Sequence, residues 1–416
     1  MLEDEVVKDE IAHYVFVKKG RRHFDPQYVG VETTLQWIFP VPEPNAVGTL
    51  DKYSNGIVFI KFGKYGTEPE REIVAQNFSK TVYGENFNYR FSPNFSEDII
   101  AYCKTRIAVI TNVKNSDTFH AECGLSMYDY MLGIRFLDQQ ENLFVVVKSI
   151  KIKNAYGREN YLQVVKLEGQ ELVDTGWSMK NGVTHRISSD FPLYNTWLVH
   201  NKNLFVYERE WNKILCTDGK QSILHPFSET YNANAGRIGK IKDFVIHPSL
   251  PFGVMIEERA VTGVRHGLII VRWDTDDPDE QILAYVNMFN PLAQLFGFEN
   301  MALAYQSFSP DRNWYIVGCI APDEPKNPYF IALPVDGEQP DLLDRDDIVI
   351  LGQVKNMTSL AWTSEPTAYV VSNGELLHKW DLDELPNARV FAAPRDDDEK
   401  EKSVFRRIGK LFGGRR

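Results

Sequence analysis

Short apolar runs closed by turn residues recur along almost the whole chain. The clearest are NGIVFIKFG (55–63), IIAYCKTRIAVITNV (99–113), NLFVVVKSIKI (142–152) and NTWLVHNKNLFVYERE (195–210). FGVMIEE (252–258), GLIIVRWD (267–274), WYIVGCIAP (314–322) and TAYVVS (367–372) continue the series. They are rich in Val, Ile, Phe and Tyr, and Asn, Gly, Asp, Pro and Ser separate them. That pattern predicts many short antiparallel strands. Long amphipathic stretches are scarce, and one short helix is expected near 291–305.

A longer period lies over the strands. An apolar strand end, a polar turn often holding Pro, and a strongly apolar strand recur as a unit. The copies are FSPNFSEDIIAY (91–102), FLDQQENLFVVV (136–147), IHPSLPFGVMI (246–256), FSPDRNWYIVG (308–318) and WTSEPTAYVV (362–371). FPVPEPNAVGTL (39–50) and SSDFPLYNTWLV (188–199) are weaker ones. Six steps from Phe39 to Trp362 give a mean period of about 54 residues, room for four strands and their turns. The expectation is an all-β protein: a β-propeller of seven blades, each of four antiparallel strands. The steps are uneven, so six or eight blades remain as alternatives. HYVFVKK (13–19) is the expected strand that closes the ring against the last blade, with a free N-terminal strand as the other reading.

Two units end in Trp273–Asp274 and Trp380–Asp381, and one carries the turn FSPD…WYIVG. In these features the chain resembles WD40-like and TolB-like propellers over about residues 30–393. The Gly-His dipeptide of strict WD40 repeats does not recur, so the resemblance implies a fold and no activity.

Composition adds bounds. At 416 residues the chain has room for one large β domain or two to three smaller ones. Aromatics reach 12%, which suits a large β core. The net charge is −11, and setting aside the five bases of residues 403–416 leaves −16 on the rest. So acidic a body disfavours nucleic acid as a partner. Cys103, Cys123, Cys216 and Cys319 stand far apart, without a CxxC pair, and are expected as small buried hydrophobes. The opening MLEDEVVKDE lacks the apolar run of a secretory signal, and no window holds about 18 continuous apolar residues. The expected location is cytoplasmic, with any membrane contact peripheral.

Candidate chemistry is thin. NAGRIGKIK (234–242) has Asn234 where a P-loop needs its first glycine, and no hydroxyl residue follows Lys240. The nine histidines show no i, i+2 or i, i+4 pair. WDTDDPDEQ (273–281) and DLLDRDD (341–347) concentrate acids without the calcium-loop order and read as solvated loops. KKGRRH (18–23) reads as a solvated basic turn, with contact to an anionic partner as its alternative. No catalytic residue, cofactor or metal is assigned.

The strongest functional signal is SVFRRIGKLFGGRR (403–416), which follows a charged linker at 394–402. At about 100° per residue, Val404, Phe405, Ile408, Leu411 and Phe412 fall within an arc of about 120°. Arg406, Arg407 and Lys410 lie opposite. Ser403 is suited to cap such a helix and Gly413–Gly414 to end it. The segment resembles the membrane-targeting tails of MinD-type ATPases over about ten residues. Three readings follow: a helix lying in an anionic membrane interface, a peptide docking in a groove of a partner assembly, and a solubilising end. The division is thus 1–29 (N-terminal segment with the closing strand), 30–393 (propeller), 394–402 (linker) and 403–416 (basic amphipathic tail). The function expected is a non-enzymatic interaction scaffold. It would bind protein partners on its faces and be tethered through the tail. The alternative is a hydrolase or lyase working at the mouth of the central channel.

Overall fold

A computed structural model describes residues 21–391, apart from internal segments of which the longest are 31–37, 76–93, 185–196, 227–239, 273–281, 288–301 and 336–347; residues 1–20 and 392–416 lie outside it. The described secondary structure is strand, except for one 3-10 turn at Leu382–Asn387. The described strands form seven sheets in chain order, antiparallel but for one pairing in sheet 6: sheet 1 (38–75), sheet 2 (94–122), sheet 3 (130–184), sheet 4 (197–226), sheet 5 (240–287), sheet 6 (302–353) and sheet 7 (359–381). Sheets 1 to 5 are simple four-stranded meanders.

The first strands meet one another across the sheets. Ile38–Pro40 packs against Asn94–Ser96, and Tyr130–Asp138 packs against both Asn94–Ser96 and Trp197–His200. Lys240–Ile246 lies against Trp197–His200 on one side and Ala302–Phe308 on the other. Ser359–Trp362 returns to Ile38–Pro40. Between sheets 6 and 7, Trp362 Nε1 donates to Ser307 Oγ at 2.8 Å. The fold is a closed ring of the β-propeller type, with each sheet sandwiched between two others.

Apolar side chains fill the junctions because central strands present hydrophobic residues to both faces. In sheet 6 all of Trp314–Ile320 is buried: Tyr315, Val317 and Cys319 face sheet 5, while Trp314 and Ile316 face sheet 7. The same division recurs between sheets 3 and 4, where Val145, Leu162 and Val164 meet Leu204 and Val206. Bulges interrupt the first strands of sheets 3, 5 and 6, at Met131/Gly133, Ile241/Asp243 and Ala304/Ser307. Each adds local twist where the strands crowd the centre.

The repeated sequence unit has a common structural cause. In sheets 5, 6 and 7, the backbone N–H of His247, Ser309 and Thr363 donates to the carbonyl five residues on, at Phe252, Trp314 and Ala368. Ser309 Oγ and Thr363 Oγ1 accept the return N–H from Trp314 and Ala368 at 3.0 and 2.8 Å. His247 does related work: Nδ1 accepts from the N–H groups of Ser249 and Leu250, so Nε2–H donates to the Arg312 carbonyl at 3.1 Å. Burial holds the His247 pKa below its ordinary value. Where the turn bends left-handed just before the second strand, Asn45 (φ 49°) and Asn142 (φ 55°) take the strain, a conformation Asn tolerates.

Four expectations change. The copy at 188–199 is out of phase: the first strand of sheet 4 is Trp197–His200, and the next begins at Asn203. In sheet 2 the first strand is Asn94–Ser96, so its turn follows Ser96. The helix expected at 291–305 gives way to strand over Ala302–Phe308, and the remainder lies outside the described residues. Arg21–His23 of KKGRRH, read as a turn, is a strand. It runs parallel to Val349–Gln353 and antiparallel to Arg389–Phe391, widening sheet 6 to six strands.

Close approach leaves no room for a side chain at Gly253, opposite Ile246: a Cβ there would lie 2.5 Å from the Val245 carbonyl oxygen. Gly253→Ala is expected to cost about 1–3 kcal/mol in urea unfolding. Gly30→Ala, where nothing lies within 4 Å of the added methyl, is the neutral control. Equal midpoints for the two variants would contradict the packing described.

Candidate functional site at the closure of the ring

Sheet 7 has only three strands of its own, Ser359–Trp362, Ala368–Ser372 and Leu376–Asp381. Its fourth comes from near the other end of the chain. Gln27–Gly30 pairs antiparallel with Leu376–Asp381, in the register Gln27↔Lys379, Tyr28↔His378, Val29↔Leu377 and Gly30↔Leu376. Among the described residues the strand that pairs with the last sheet is QYVG; HYVFVKK, the expected closing strand, lies outside the described residues. A preceding Asp25–Pro26 favours extended backbone, but four residues give little periodicity to read.

The alternation of the closing strand divides its chemistry. Towards sheet 1, Val29 packs on the cluster of Ile38, Val47, Ile60, Phe62, Val370 and Leu377. On that face Gln27 Nε2 donates to Asp381 Oδ2 at 2.9 Å, and Asp381 Oδ1 pairs with Lys379 Nζ. The ammonium lies 5.5 Å from the centroid of the Phe62 ring. Lys379 is buried, so its charge rests on Asp381 and the aromatic face. Two further bonds stitch this junction: Ile38 N–H to Ser359 Oγ at 2.8 Å, and Ser364 Oγ to the Glu43 carbonyl at 2.7 Å.

Towards sheet 6 the partners are aromatic. Trp380 Nε1 donates to the Phe24 carbonyl at 3.1 Å, while the Phe24 N–H reaches the Ile350 carbonyl at 2.9 Å. Tyr28 meets the His378 ring edge to face, with centroids 5.1 Å apart, and Trp380 stacks on it at 6.2 Å. Tyr28 itself is 65% exposed, beside an exposed Leu376. His378 is 7% exposed, and neither ring nitrogen has a hydrogen-bond partner. Burial lowers its pKa. The Trp380–Asp381 dipeptide flagged in the sequence is thus a closure element, with each side chain holding a piece of the N-terminal segment.

A second polar cluster sits between sheets 5 and 6. Tyr315 OH donates to Gln306 Oε1 at 2.7 Å, leaving Gln306 Nε2 buried without a partner. Burial first, then the neighbouring Asp243, drives the Tyr315 pKa well up, so the phenol is a donor and not a base. The Asp243 carboxylate accepts from the Phe244 N–H at 2.9 Å. Burial also raises Cys319 and, with Asp218, pushes Cys216 up to about 11. Neither thiol is a nucleophile at neutral pH. Among the described residues no group of three His, Cys, Asp or Glu side chains is placed to hold a metal, and no helix is long and apolar enough to cross a membrane.

The residues singled out in the sequence, Val404, Phe405, Arg406, Arg407, Ile408, Lys410, Leu411 and Phe412, lie outside the described residues. Gln27, Tyr28, His378 and Lys379 were not singled out. Gln27 and Tyr28 meet their cross-strand partners about 350 residues away in sequence, a pairing no local motif marks.

No family model matches the chain, and no curated protein does. Among solved structures it is similar to the extracellular domain of a one-component system of B. thetaiotaomicron, at 10% identity and a TM-score of 0.48. That alignment covers 90% of this chain but 44% of the other, so the chain spans less than half of that structure's length. YCF48 bound to a D1 peptide aligns at 11% identity and a TM-score of 0.44, covering 87% of this chain and 98% of the other. The β-propeller domain of the trilobed protease from Pyrococcus furiosus aligns at 8% and 0.44, covering 88% and 98%. These are likenesses of shape; the fold assignment rests on the sheet order and packing of this chain.

The closure makes a direct prediction. Lys379→Met leaves the Asp381 carboxylate without its cation and is expected to cost about 1.5–3 kcal/mol in urea unfolding. Adding Asp381→Leu should cost less than the sum of the two single changes by at least about 0.5 kcal/mol. Strict additivity would mean that the pair does not couple.

Proposed function

We propose that the chain is a seven-bladed β-propeller, spanning about residues 30–393, that serves as a cytoplasmic interaction scaffold. Its faces and rim would receive protein partners, and residues 403–416 would tether it to an anionic membrane surface. The observation that carries this reading is the pairing of an early and a late segment of the chain at the edges of sheets 6 and 7. Arg21–His23 pairs with Arg389–Phe391 at the outer edge of sheet 6, and Gln27–Gly30 completes sheet 7 beside it. A ring closed by its own terminal segments is a rigid platform, suited to presenting loops. The exit point supports the tether. Ser403 lies 12 residues beyond Phe391, a reach of at most about 40 Å from the rim.

The tail chemistry favours lipid over a protein groove. Arg406, Arg407 and Lys410 oppose a continuous apolar stripe, and each cation near an anionic surface contributes on the order of 1 kcal/mol. A body at −16 repels such a surface, so the contact is confined to the tail.

Sedimentation with phosphatidylserine-containing vesicles tests this. The intact chain is expected to pellet, a 403–416 deletion to stay in the supernatant, and Arg406→Ala with Arg407→Ala to weaken partitioning on the order of 10–30-fold. Equal recovery of intact and deleted protein in the supernatant would remove the membrane from the proposal.

A further inference from the structure

The geometry points to an acid-sensitive latch: His378, sealed beneath Tyr28, releases the closing strand Gln27–Gly30 when its ring takes up a proton. Buried polar groups are almost always hydrogen-bonded, and a side chain with both ring nitrogens unpartnered and out of reach of solvent stands out. The neutral ring tolerates this site because it meets Tyr28 edge to face and stacks on Trp380. An imidazolium there would have two N–H donors without acceptors and a charge without water. The least costly escape is to move the group that covers it.

That cover is weakly held. Tyr28 is its cross-strand partner and is 65% exposed, and the strand that carries it has four residues at the edge of the sheet. Edge segments of this kind open at lower free energy than the sheets behind them. Leu376–Asp381 keeps its pairing to Ala368–Ser372 when the closing strand leaves, so opening is local.

The surrounding charges do not oppose the effect. On its own strand, Lys379 and Asp381 point to the other face, towards Phe62. The closing strand offers the Tyr28 phenol, and the next strand offers Val371 and no ionisable group at the paired position. From sheet 6, the strands Arg21–His23 and Arg389–Phe391 carry Arg21, Arg22, His23 and Arg389 and no carboxylate. Among the described residues, burial is the cause that lowers its proton affinity. The open strand restores an ordinary imidazole near 6.5, so below that pH the open form binds more protons than the closed one. The closed form is thus favoured above about pH 6.5 and loses up to about tenfold in its equilibrium per pH unit beneath it.

Hydrogen exchange of the full chain at pH 7.5 and 5.2, corrected for intrinsic rates, tests the latch above the carboxylate range. Protection of residues 24–30 should fall at pH 5.2 by up to about 20-fold, while Trp314–Ile320 stays protected. The fall should vanish in both His378→Phe and His378→Gln. Should neither variant fold, ring resonances of the wild-type histidines decide, with His378 expected to titrate below about 6.5 together with a shift of the Tyr28 ring. The latch is overturned by equal protection of 24–30 at both pH values, by the same fall in both variants, by a uniform loss across all sheets that would place the effect at buried His247, or by a His378 ring titrating at its ordinary value.

Discussion

The constraint from which the rest follows is that, in sheets 1 and 3 to 7, the second strand is apolar on both faces. Trp314–Ile320 is buried from end to end, with successive side chains entering different junctions. Such a strand cannot sit at the margin of a stack, because one of its faces would meet water. Placing the sheets in a ring gives each face a neighbour, but only if the last sheet meets the first. Ser359–Trp362 against Ile38–Pro40 is that meeting. It joins segments more than 300 residues apart, at a large cost in chain entropy. The entropy is offset only when all the junctions form together, so closure is cooperative.

This explains why the closing junction is chemically unlike the others. Between sheets 3 and 4 the described contacts are hydrophobic, and the chain already holds these neighbours together. At sheets 7 and 1, directional groups are added: Gln27 to Asp381, Asp381 to Lys379, the Ile38 N–H to Ser359, and Ser364 to the Glu43 carbonyl. Hydrogen bonds of this sort contribute modestly to net stability, but they penalise wrong pairings by leaving buried donors unmet. Their role fits register selection. A one-residue slip of Gln27–Gly30 would turn Val29 out of the sheet 1 cluster and take Gln27 away from Asp381.

The same distinction decides what could be read from the sequence. The six-residue turn was legible because it is local: an apolar anchor, an acceptor residue and a second apolar run must sit at fixed spacing, as at Phe308, Ser309 and Trp314. It failed where the local signal was diluted, in the copy at 188–199, whose Phe and Leu mimic a strand end ahead of the true one at Trp197–His200. The all-β class and the four-stranded units follow from such local patterns. The pairing of QYVG was not legible, because HYVFVKK has the longer apolar alternation and draws the eye first. Nothing within either segment encodes a partner at Leu376–Asp381. His378 is a lone histidine by any sequence criterion, and only cross-strand pairing places it under Tyr28.

Closure by terminal segments also ties the ends of the chain to the integrity of the disc. Phe24 accepts from Trp380, bonds to Ile350 and packs in the core between sheets 6 and 7, so the N-terminal segment is held at three points before it reaches sheet 7. Arg389–Phe391 is held through that same segment, pairing with Arg21–His23. A pull on residues beyond Phe391 therefore loads the N-terminal strand before it loads any junction between the sheets. Release of Gln27–Gly30 alone would leave Phe24 and the sheet 6 strands in place. The disc would stay closed at its first strands while its rim opens at sheet 7, which separates the mobility of the edge from the stability of the ring.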